Sequence, residues 1–157
     1  MSASNDIIIA VTGASGSIYA QRFLECALEH FDNIKLVFSE TGIKVSRFEL
    51  SQEQANDGLS LLPFLSANHP HASRVSVFKN KDLFACLASG TSAPKKMVIV
   101  PCSMGTLGRI AAGLGSNLIE RAADVVLKEK GQLVISPRET PFNTLHLENM
   151  LRLDRAG

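Results

Sequence analysis

The pattern of hydrophobic and polar positions predicts buried strands that alternate with amphipathic helices. The first strand is Ile7–Val11, an apolar run rich in β-branched side chains, which is typical of a strand buried on both faces. The predicted strands are 7–11, 34–38, 74–78, 96–100 and 132–135, and the predicted helices are 19–30, 40–50, 107–112, 117–130 and 143–153. This order favours an α/β fold with an open, mostly parallel sheet and helices on both faces.

The pattern is ambiguous in the segment that follows the second helix. Apolar residues between 59 and 65 could form a short helix broken by Pro63 or a packed loop. Residues 82–88 are predicted as a helical turn. His69 and His71 flank a proline, and because no carboxylate or cysteine set surrounds them, they favour solvated side chains over a metal site.

A glycine-rich loop, Gly13-Ala14-Ser15-Gly16, follows the first strand. Its glycines permit positive φ and close approach of the backbone, and Ser15 or Ser17 is placed to cap the next helix. Such a loop offers backbone N–H groups and a positive helix end to an anion, most often a phosphate. It could equally be the turn that any parallel α/β domain needs here, since it is neither a GxGxxG nor a Walker sequence.

A second loop of small residues, 101–106, follows the strand 96–100 at the start of another helix. The carboxyl ends of parallel strands share one edge, so this loop and Gly13–Gly16 are expected to face the same crevice. Arg138 follows the strand 132–135 and lies between two prolines, which suits a fixed fork for phosphate. Together these features favour a ligand site over a purely structural turn.

Composition narrows the classes further. With 157 residues the chain can bury the core of one domain, predicted as 1–157, and a net charge of +1 gives no reason to expect nucleic acid or an anionic membrane. There is no apolar run of spanning length, and residues 1–5 lack the features of a signal peptide, so the expected location is the cytoplasm. Three cysteines without CxxC spacing argue against a disulfide framework or a zinc site.

Four segments together resemble the UbiX-type flavin prenyltransferases, once described as aromatic-acid decarboxylases. They are VTGASGSIYA (11–20), VFSETG (37–42), PCSMGTL (101–107), and RAADVVLKEKGQLVISPRETP (121–141) with HLENMLRL (146–153). The resemblance implies a three-layer Rossmann-like (flavodoxin-type) sheet that binds FMN and needs no metal. It implies transfer of a dimethylallyl group from dimethylallyl phosphate to N5 and C6 of reduced FMN. The prenylated FMN would go to a UbiD-type decarboxylase, and the enzyme would be a homo-oligomer, usually a dodecamer with shared active sites.

The resemblance also implies roles for individual residues. The residues expected to bind FMN are Gly13, Ala14, Ser15, Ser39, Ser103, Met104, Gly105, Thr106 and Arg138. Those expected at the substrate phosphate are Ser89, Gly90, Arg121, Lys128 and Arg138. The catalytic candidates are Ser15, Glu49, Lys128 and Glu139, with Ser15 and Glu49 as proton relays. Arg121, Lys128 and Glu139 would reach the pocket from adjacent chains. On residue type alone, a solvated surface position is the usual role of lone charges such as Glu49, Arg121 and Lys128.

The chain departs from the family pattern at its end. Family members continue with a further strand and helix that supply a tyrosine and a basic residue to the prenyl-phosphate site, whereas this sequence stops at Gly157. Its one tyrosine, Tyr19, belongs to the first helix. The expectation is therefore a flavin-binding domain that carries the FMN half of the site and only part of the substrate-phosphate half.

Three other functions are alternatives to this one. The first is a non-catalytic FMN-binding subunit of an aromatic-acid decarboxylase system. The second is an FMN-dependent cysteine decarboxylase, a class with a histidine after the second strand and a PxMNxxMW motif; here Ser39 and residues 140–143 (TPFN) stand at those places. The third is an NAD-binding protein, which would need GxGxxG and an acidic residue where Ser39 stands.

Overall fold

The computed structural model describes residues 5–50, 64–65 and 69–157, and its strands form one five-stranded sheet. The strands are β1 (Ile7–Val11), β2 (Ile34–Phe38), β3 (Val75–Lys79), β4 (Lys96–Cys102) and β5 (Gln132–Pro137). The helices are α1 (Ser17–His30), α2 (Glu40–Glu49), α3 (Met104–Ala111), α4 (Leu118–Lys128) and α5 (Thr144–Ala156), with short 3₁₀ turns at Ala72–Arg74 and Cys86–Ala88.

All neighbouring strands of the sheet pair in parallel, in the order β3-β2-β1-β4-β5. In the centre, Ile9 of β1 lies opposite Leu36 of β2 and Val98 of β4. Strands β2 and β3 lie on one side of β1, and β4 and β5, which come later in the chain, lie on the other side. The carboxyl ends of β1 and β4 therefore flank a topological switch point, the place where ligands bind in open α/β sheets.

Successive residues of β1 face two different layers, which confirms the predicted three-layer architecture. Ile7 and Ile9 pack with α1, in a cluster that includes Leu24 and Leu28. Ile8 faces the opposite layer, where it shares a cluster with residues of α3 and α4. All five residues of β1 are buried. Burial of both faces explains why the strand reads as a continuous apolar run rather than as an alternating one.

The outer helices differ in how completely the fold covers them. Helix α4 buries seven of its residues against the sheet and its neighbours. Helix α5 packs on α3 and has no fully buried residue, and Leu145, Leu147 and Leu151 are exposed. In the described part of the chain, no helix has the length and apolar character needed to cross a membrane.

The element boundaries were predicted less accurately than the elements. Helix α3 begins at Met104, three residues before the prediction, because Ser103 caps it by accepting a hydrogen bond from the backbone N–H of Thr106. Strands β4 and β5 each extend two residues further, and the predicted turn at 82–88 is helical only at Cys86–Ala88. The ambiguous segment 59–65 lies outside the described residues except for Phe64 and Leu65, which are both buried.

Candidate functional site at the carboxyl edge of the sheet

The loops after β1, β2 and β4 are tied to one another at the switch point. Thr12, which follows β1, is 1% exposed, and its hydroxyl donates to the Pro101 carbonyl at 2.8 Å. The same Thr12 oxygen accepts a 2.8 Å hydrogen bond from the backbone N–H of Ser103. Ser39, at the end of β2, donates its backbone N–H to the carbonyl of Val11 at 2.9 Å. The three loops therefore form one rigid rim, as the parallel sheet predicted.

Glycine lets the first turn of α2 approach this rim closely. A Cβ on Gly13 would lie 2.5 Å from the side chain of Thr41, and a Cβ on Gly42 would lie 2.6 Å from the carbonyl oxygen of Val11. Positive φ is confined to Gly16 in the first loop, at 115°. Gly13 thus serves close packing, whereas Gly16 provides the left-handed residue that the turn into α1 requires.

The N-terminus of α1 is capped by a carboxylate from another helix. Both oxygens of Glu49, the last residue of α2, accept hydrogen bonds from the N–H of Gly16, at 3.0 and 3.1 Å. One of them also accepts from the N–H of Ser17 at 2.7 Å. The predicted caps Ser15 and Ser17 are wrong, since the N-cap residue is Gly16 and it has no side chain to act as a cap. A solvated role for Glu49 is wrong as well.

This environment holds Glu49 in its ionised form. Partial burial favours the neutral acid, but hydrogen bonds from the Ser15 hydroxyl and from Ser17 and Gly16 outweigh burial and lower the pKa of Glu49 to about 2. The helix end, where the sequence suggested a phosphate, therefore already holds an anion of the chain itself. A phosphate at this edge would use the neighbouring donors instead.

Those donors belong to the second loop and to the ends of β2 and β5. Ser39 and Ser103 are both half-buried N-cap residues, of α2 and α3. Arg138 directly follows β5, and its backbone N–H donates to the carbonyl of Cys102 at 3.0 Å, which fixes it beside the second loop. Its side chain is exposed, as is that of Glu139, whose carboxylate accepts from the N–H of Thr140. The structure thus brings Arg138 to the crevice, as the sequence predicted.

A buried ion pair behind the second loop escaped the sequence analysis. The side chain of Glu120 in α4 is fully buried and accepts from Nε of Arg109 in α3 and, at 2.9 Å, from the N–H of Ser116. Burial opposes ionisation of Glu120, but the bonds from Arg109, Ser116 and Asn117 outweigh it and lower its pKa. The available signal was the position of Glu120 among the apolar residues on the buried face of α4.

Other predicted residues lie at the opposite edge within one chain. Helix α4 runs back to the amino edge, where Gln132 donates its N–H to the Lys95 carbonyl at 2.7 Å. Lys128, in the last turn of α4, pairs with Glu129 at 2.9 Å. A Cβ on Gly90 would overlap the Glu129 carboxylate, so the Ser89–Gly90 loop lies there too. One subunit does not bring these residues to the glycine-rich loop.

Arg121 of α4 faces the 3₁₀ turn that precedes Ser89. Its Nε donates to the carbonyl of Ala88 at 3.3 Å, and one of its terminal nitrogens pairs with Asp124 at 2.8 Å. These contacts hold the guanidinium on the outer side of α4, partly exposed.

Two further features bear on the chemistry of this edge. A cavity of about 400 Å³ lies beside the first turn of α2, lined by apolar side chains including Phe38 and Phe78 and by the exposed Glu40–Lys81 ion pair. Burial raises the pKa of the Cys102 thiol to about 12, which makes it unsuitable as a nucleophile. Within the described residues, no three His, Cys, Asp or Glu side chains cluster as metal ligands.

Comparison with known proteins identifies the family. The family model Flavoprotein matches residues 1–157. The chain is 42% identical to "Flavin prenyltransferase UbiX" of Pseudomonas aeruginosa over 158 residues, which cover 100% of this chain and 76% of that protein. The crystal structure of AnUbiX (PadA1) with FMN and dimethylallyl pyrophosphate is similar, with TM-score 0.80 and 32% identity, over 98% of this chain and 75% of that one. So is a dodecameric FMN-dependent UbiX-like decarboxylase from Escherichia coli O157:H7, with TM-score 0.79, 34% identity and coverage of 97% and 76%. The chain therefore belongs to the Flavoprotein family and, within it, to the flavin prenyltransferases named UbiX.

Proposed function

We propose that this protein is a flavin prenyltransferase that joins a dimethylallyl group from dimethylallyl phosphate to N5 and C6 of reduced FMN. The observation that carries the proposal is the convergence of the glycine-rich loop, the Ser103 loop and Arg138 at one switch point, in a chain 42% identical to a UbiX enzyme over its whole length. The AnUbiX structure, with FMN and dimethylallyl pyrophosphate bound, supports the same pair of ligands.

The chemistry of the crevice fits FMN. The half-buried hydroxyl of Ser39 and the guanidinium of Arg138 supply a donor and the positive charge that a phosphate monoester requires, while the Ser103 hydroxyl is engaged with Thr106. We propose that these residues hold the cofactor together with Gly13–Ser15 and Met104–Thr106. Reduced FMN, when bound, supplies the two nucleophilic ring atoms N5 and C6.

Glu49 and Ser15 form the proton-handling pair of the proposed site. Ser15 is exposed to the crevice, and its hydroxyl hydrogen-bonds to the carboxylate of Glu49. A carboxylate with a pKa of about 2 is a weak base at neutral pH, so its main effect is to orient the Ser15 hydroxyl. The inorganic phosphate released from the substrate is a much stronger base than this carboxylate, and it is the better group for removing the C6 proton.

The residues proposed for the substrate phosphate act from a neighbouring copy. In one chain Lys128 and Ser89–Gly90 lie at the amino edge, away from the glycine-rich loop. We propose that Lys128, Arg121 and Glu139 reach the crevice of an adjacent subunit in a homo-oligomer, and the dodecameric relative from Escherichia coli supports such an assembly. Exposed Tyr19 and Phe48, beside the Glu49 cap, offer the apolar surface that a neighbour would cover, which would also exclude water from the reaction.

The proposed product has a recipient outside this chain. We propose that prenylated FMN passes to a UbiD-type decarboxylase, as the family resemblance implies, and that it does so in the cytoplasm. Purification of such a decarboxylase together with flavin made by this protein tests the recipient. Cell fractionation tests the location.

The separation of Lys128 from the glycine-rich loop favours one alternative, a non-catalytic FMN-binding subunit. The deciding experiment loads the chain with FMN, reduces it without oxygen, adds dimethylallyl phosphate and identifies the extracted flavin by mass spectrometry. The expected flavin is heavier by one dimethylallyl unit. Bound but unchanged FMN would support the non-catalytic subunit, and failure to bind FMN would contradict both functions. Parallel samples with dimethylallyl diphosphate in place of dimethylallyl phosphate show which of the two compounds is the prenyl donor.

A further inference from the structure

We propose that Arg109, held by the buried carboxylate of Glu120, is a positioning residue that makes Thr106 the hydrogen-bond donor of the second loop toward the flavin. The inference rests on the proposed function, since it assumes that the second loop contacts FMN. It assigns a role to an ion pair that lies outside the residues proposed to bind FMN or the substrate phosphate.

The hydroxyl of Thr106 accepts two hydrogen bonds. A terminal nitrogen of Arg109 donates to Oγ1 of Thr106 at 3.3 Å, and the Ser103 hydroxyl donates to the same oxygen at 3.1 Å. A hydroxyl has two lone pairs and one proton. With both lone pairs engaged, the only group that Thr106 still offers to a ligand is its proton.

Ser103 has the opposite role, although the sequence makes the two hydroxyls look alike. Its proton is directed to Thr106, and its oxygen accepts the backbone N–H of Thr106 at 3.4 Å. Ser103 is thereby occupied in capping α3. Of the two hydroxyls, therefore, only that of Thr106, which is 5% exposed, keeps its proton for an oxygen or nitrogen acceptor of the cofactor.

The charge of Arg109 strengthens this donor. A hydroxyl that accepts a hydrogen bond from a cation is polarised and donates more strongly through its own proton. Arg109 is the sixth residue of α3, and its side chain folds back over the first turn, where a Cβ on Gly105 would lie 3.4 Å from a terminal nitrogen. A cation is unfavourable at a helix N-terminus, so something else must hold it there.

Glu120 is what holds it. The Glu120 side chain is 0% exposed, it binds Nε of Arg109, and its second oxygen is fixed by the N–H of Ser116. The arginine side chain itself is 47% exposed. A fully buried carboxylate is rarely retained unless it is paired. The pair therefore fixes which nitrogen of the guanidinium faces Thr106.

The test is a double-mutant cycle read out as FMN affinity. R109M/E120Q removes the pair without leaving a buried charge, and the glutamine carbonyl can still accept from Ser116. T106V removes the hydroxyl and keeps the side-chain shape, while T106S is the conservative control that keeps the hydroxyl. Flavin fluorescence titrations give the FMN dissociation constants of these variants and of T106V/R109M/E120Q, and circular dichroism melting checks that each one folds.

We expect T106V to bind FMN about tenfold more weakly, T106S to bind like the wild type, and R109M/E120Q to lose about three- to tenfold. In the T106V background, removal of the pair should cause no further loss of FMN affinity, although it still lowers the melting temperature. An equal loss of affinity in both backgrounds, or no loss in either, overturns the inference and leaves the proposed function intact. Failure of the wild type to bind FMN overturns both.

Discussion

The carboxylate of Glu49 accepts a 2.7 Å hydrogen bond from the backbone N–H of Ser17, so that the end of α2 caps the beginning of α1. The two residues are 32 positions apart. The contact satisfies a donor that every helix leaves open in its first turn, and it places a negative charge at the positive end of the helix dipole. It also places a hydrogen-bond acceptor beside the Ser15 hydroxyl, at the mouth of the proposed flavin site.

Removing this cap should destabilise the protein in a pH-dependent way. E49A is expected to lower the free energy of unfolding by ~1–2 kcal/mol at pH 7, and E49Q by less, because the amide oxygen can still accept one of the hydrogen bonds. The folded-state pKa of Glu49 is lowered from 4.5 to about 2, so its stabilising contribution is complete above pH 4.5 and is lost as the pH falls toward 2.

Urea unfolding at several pH values measures this effect. The difference between the wild type and E49Q should shrink steadily between pH 4.5 and 2. The exposed Glu25, which forms an i,i+3 surface pair with Arg22, is the matched control. A difference between the wild type and E49Q that stays constant down to pH 2 would show that the ionised carboxylate contributes nothing as a cap.

Close packing of α2 on the end of β1 makes Gly42 intolerant of a side chain. A Cβ on Gly42 would lie 2.6 Å from the carbonyl oxygen of Val11 and 3.1 Å from that of Thr12, and backbone atoms cannot move aside as a flexible side chain can. G42A should cost about 1–3 kcal/mol of stability and weaken FMN binding, since the same turn carries Ser39.

The control for this prediction is G115A. A Cβ on Gly115 would meet only ordinary contacts, the nearest being Arg121 at 3.8 Å. The free energy of unfolding of G115A should stay within about 1 kcal/mol of that of the wild type. Thermal melting of both variants measures the difference, and G42A should melt at a lower temperature than G115A. Equal melting temperatures would mean that α2 can shift to make room for the side chain.

Removal of one partner of the Arg109–Glu120 ion pair should cost more stability than replacement of both partners, as is typical of buried ion pairs. R109A leaves the Glu120 carboxylate buried without its cation and should cost about 3 kcal/mol, whereas R109M/E120Q should cost distinctly less. Without the hydrogen bond and charge of Arg109, burial of Glu120 becomes the stronger influence on its carboxyl group. The pKa of Glu120 in R109A should therefore rise above its usual 4.5.

The pH dependence of R109A follows from that rise. An acid whose pKa is raised in the folded state destabilises the protein as the pH increases, so the deficit of R109A should be largest at neutral pH and should narrow below about pH 4.5. Guanidinium unfolding at pH 4 and pH 7 measures it. If R109A and R109M/E120Q are equally unstable at both pH values, the buried charge is not the cause.

Shared active sites predict complementation between two inactive variants. R138A removes the guanidinium beside the second loop, and K128A removes a cation that one chain holds at the opposite edge. Each should lose prenylation by itself. When the two are unfolded together and reassembled in equal amounts, about a quarter of the sites should combine an intact Arg138 with an intact Lys128 from a neighbouring chain.

Mass spectrometry of the flavin product measures the regained activity. Wild type carried through the same unfolding and reassembly is the control for inefficient refolding, and R138A and K128A reassembled separately give the background activity. If the mixture regains no activity although light scattering shows normal oligomers, then either one subunit supplies both residues of a site or Lys128 takes no part in catalysis.

Much of the fold could be read from local patterns. A strand such as β1, buried on both faces, must be apolar at every position, and a helix such as α4 must repeat its apolar residues along one face. These requirements act on neighbouring residues, so the element order and the parallel sheet were predictable. The two loops and Arg138 were predictable for the same reason, because parallel strands bring their carboxyl ends to one edge.

The contacts that complete the site depend on residues far apart in the chain, and only the tertiary structure decided them. From the sequence alone, Glu49 looks like a solvated surface acid. Only the packing of α2 against the start of α1 shows that it binds the N–H groups of Gly16 and Ser17. Arg109 and Glu120 read as unrelated charges until α3 and α4 pack together. The sequence by itself determined which segments are strands and helices and which loops share an edge, because backbone hydrogen bonding and burial impose local periodicity. Packing decided the partner of each charge, because a hydrogen bond depends on ångström distances between side chains that no local pattern specifies.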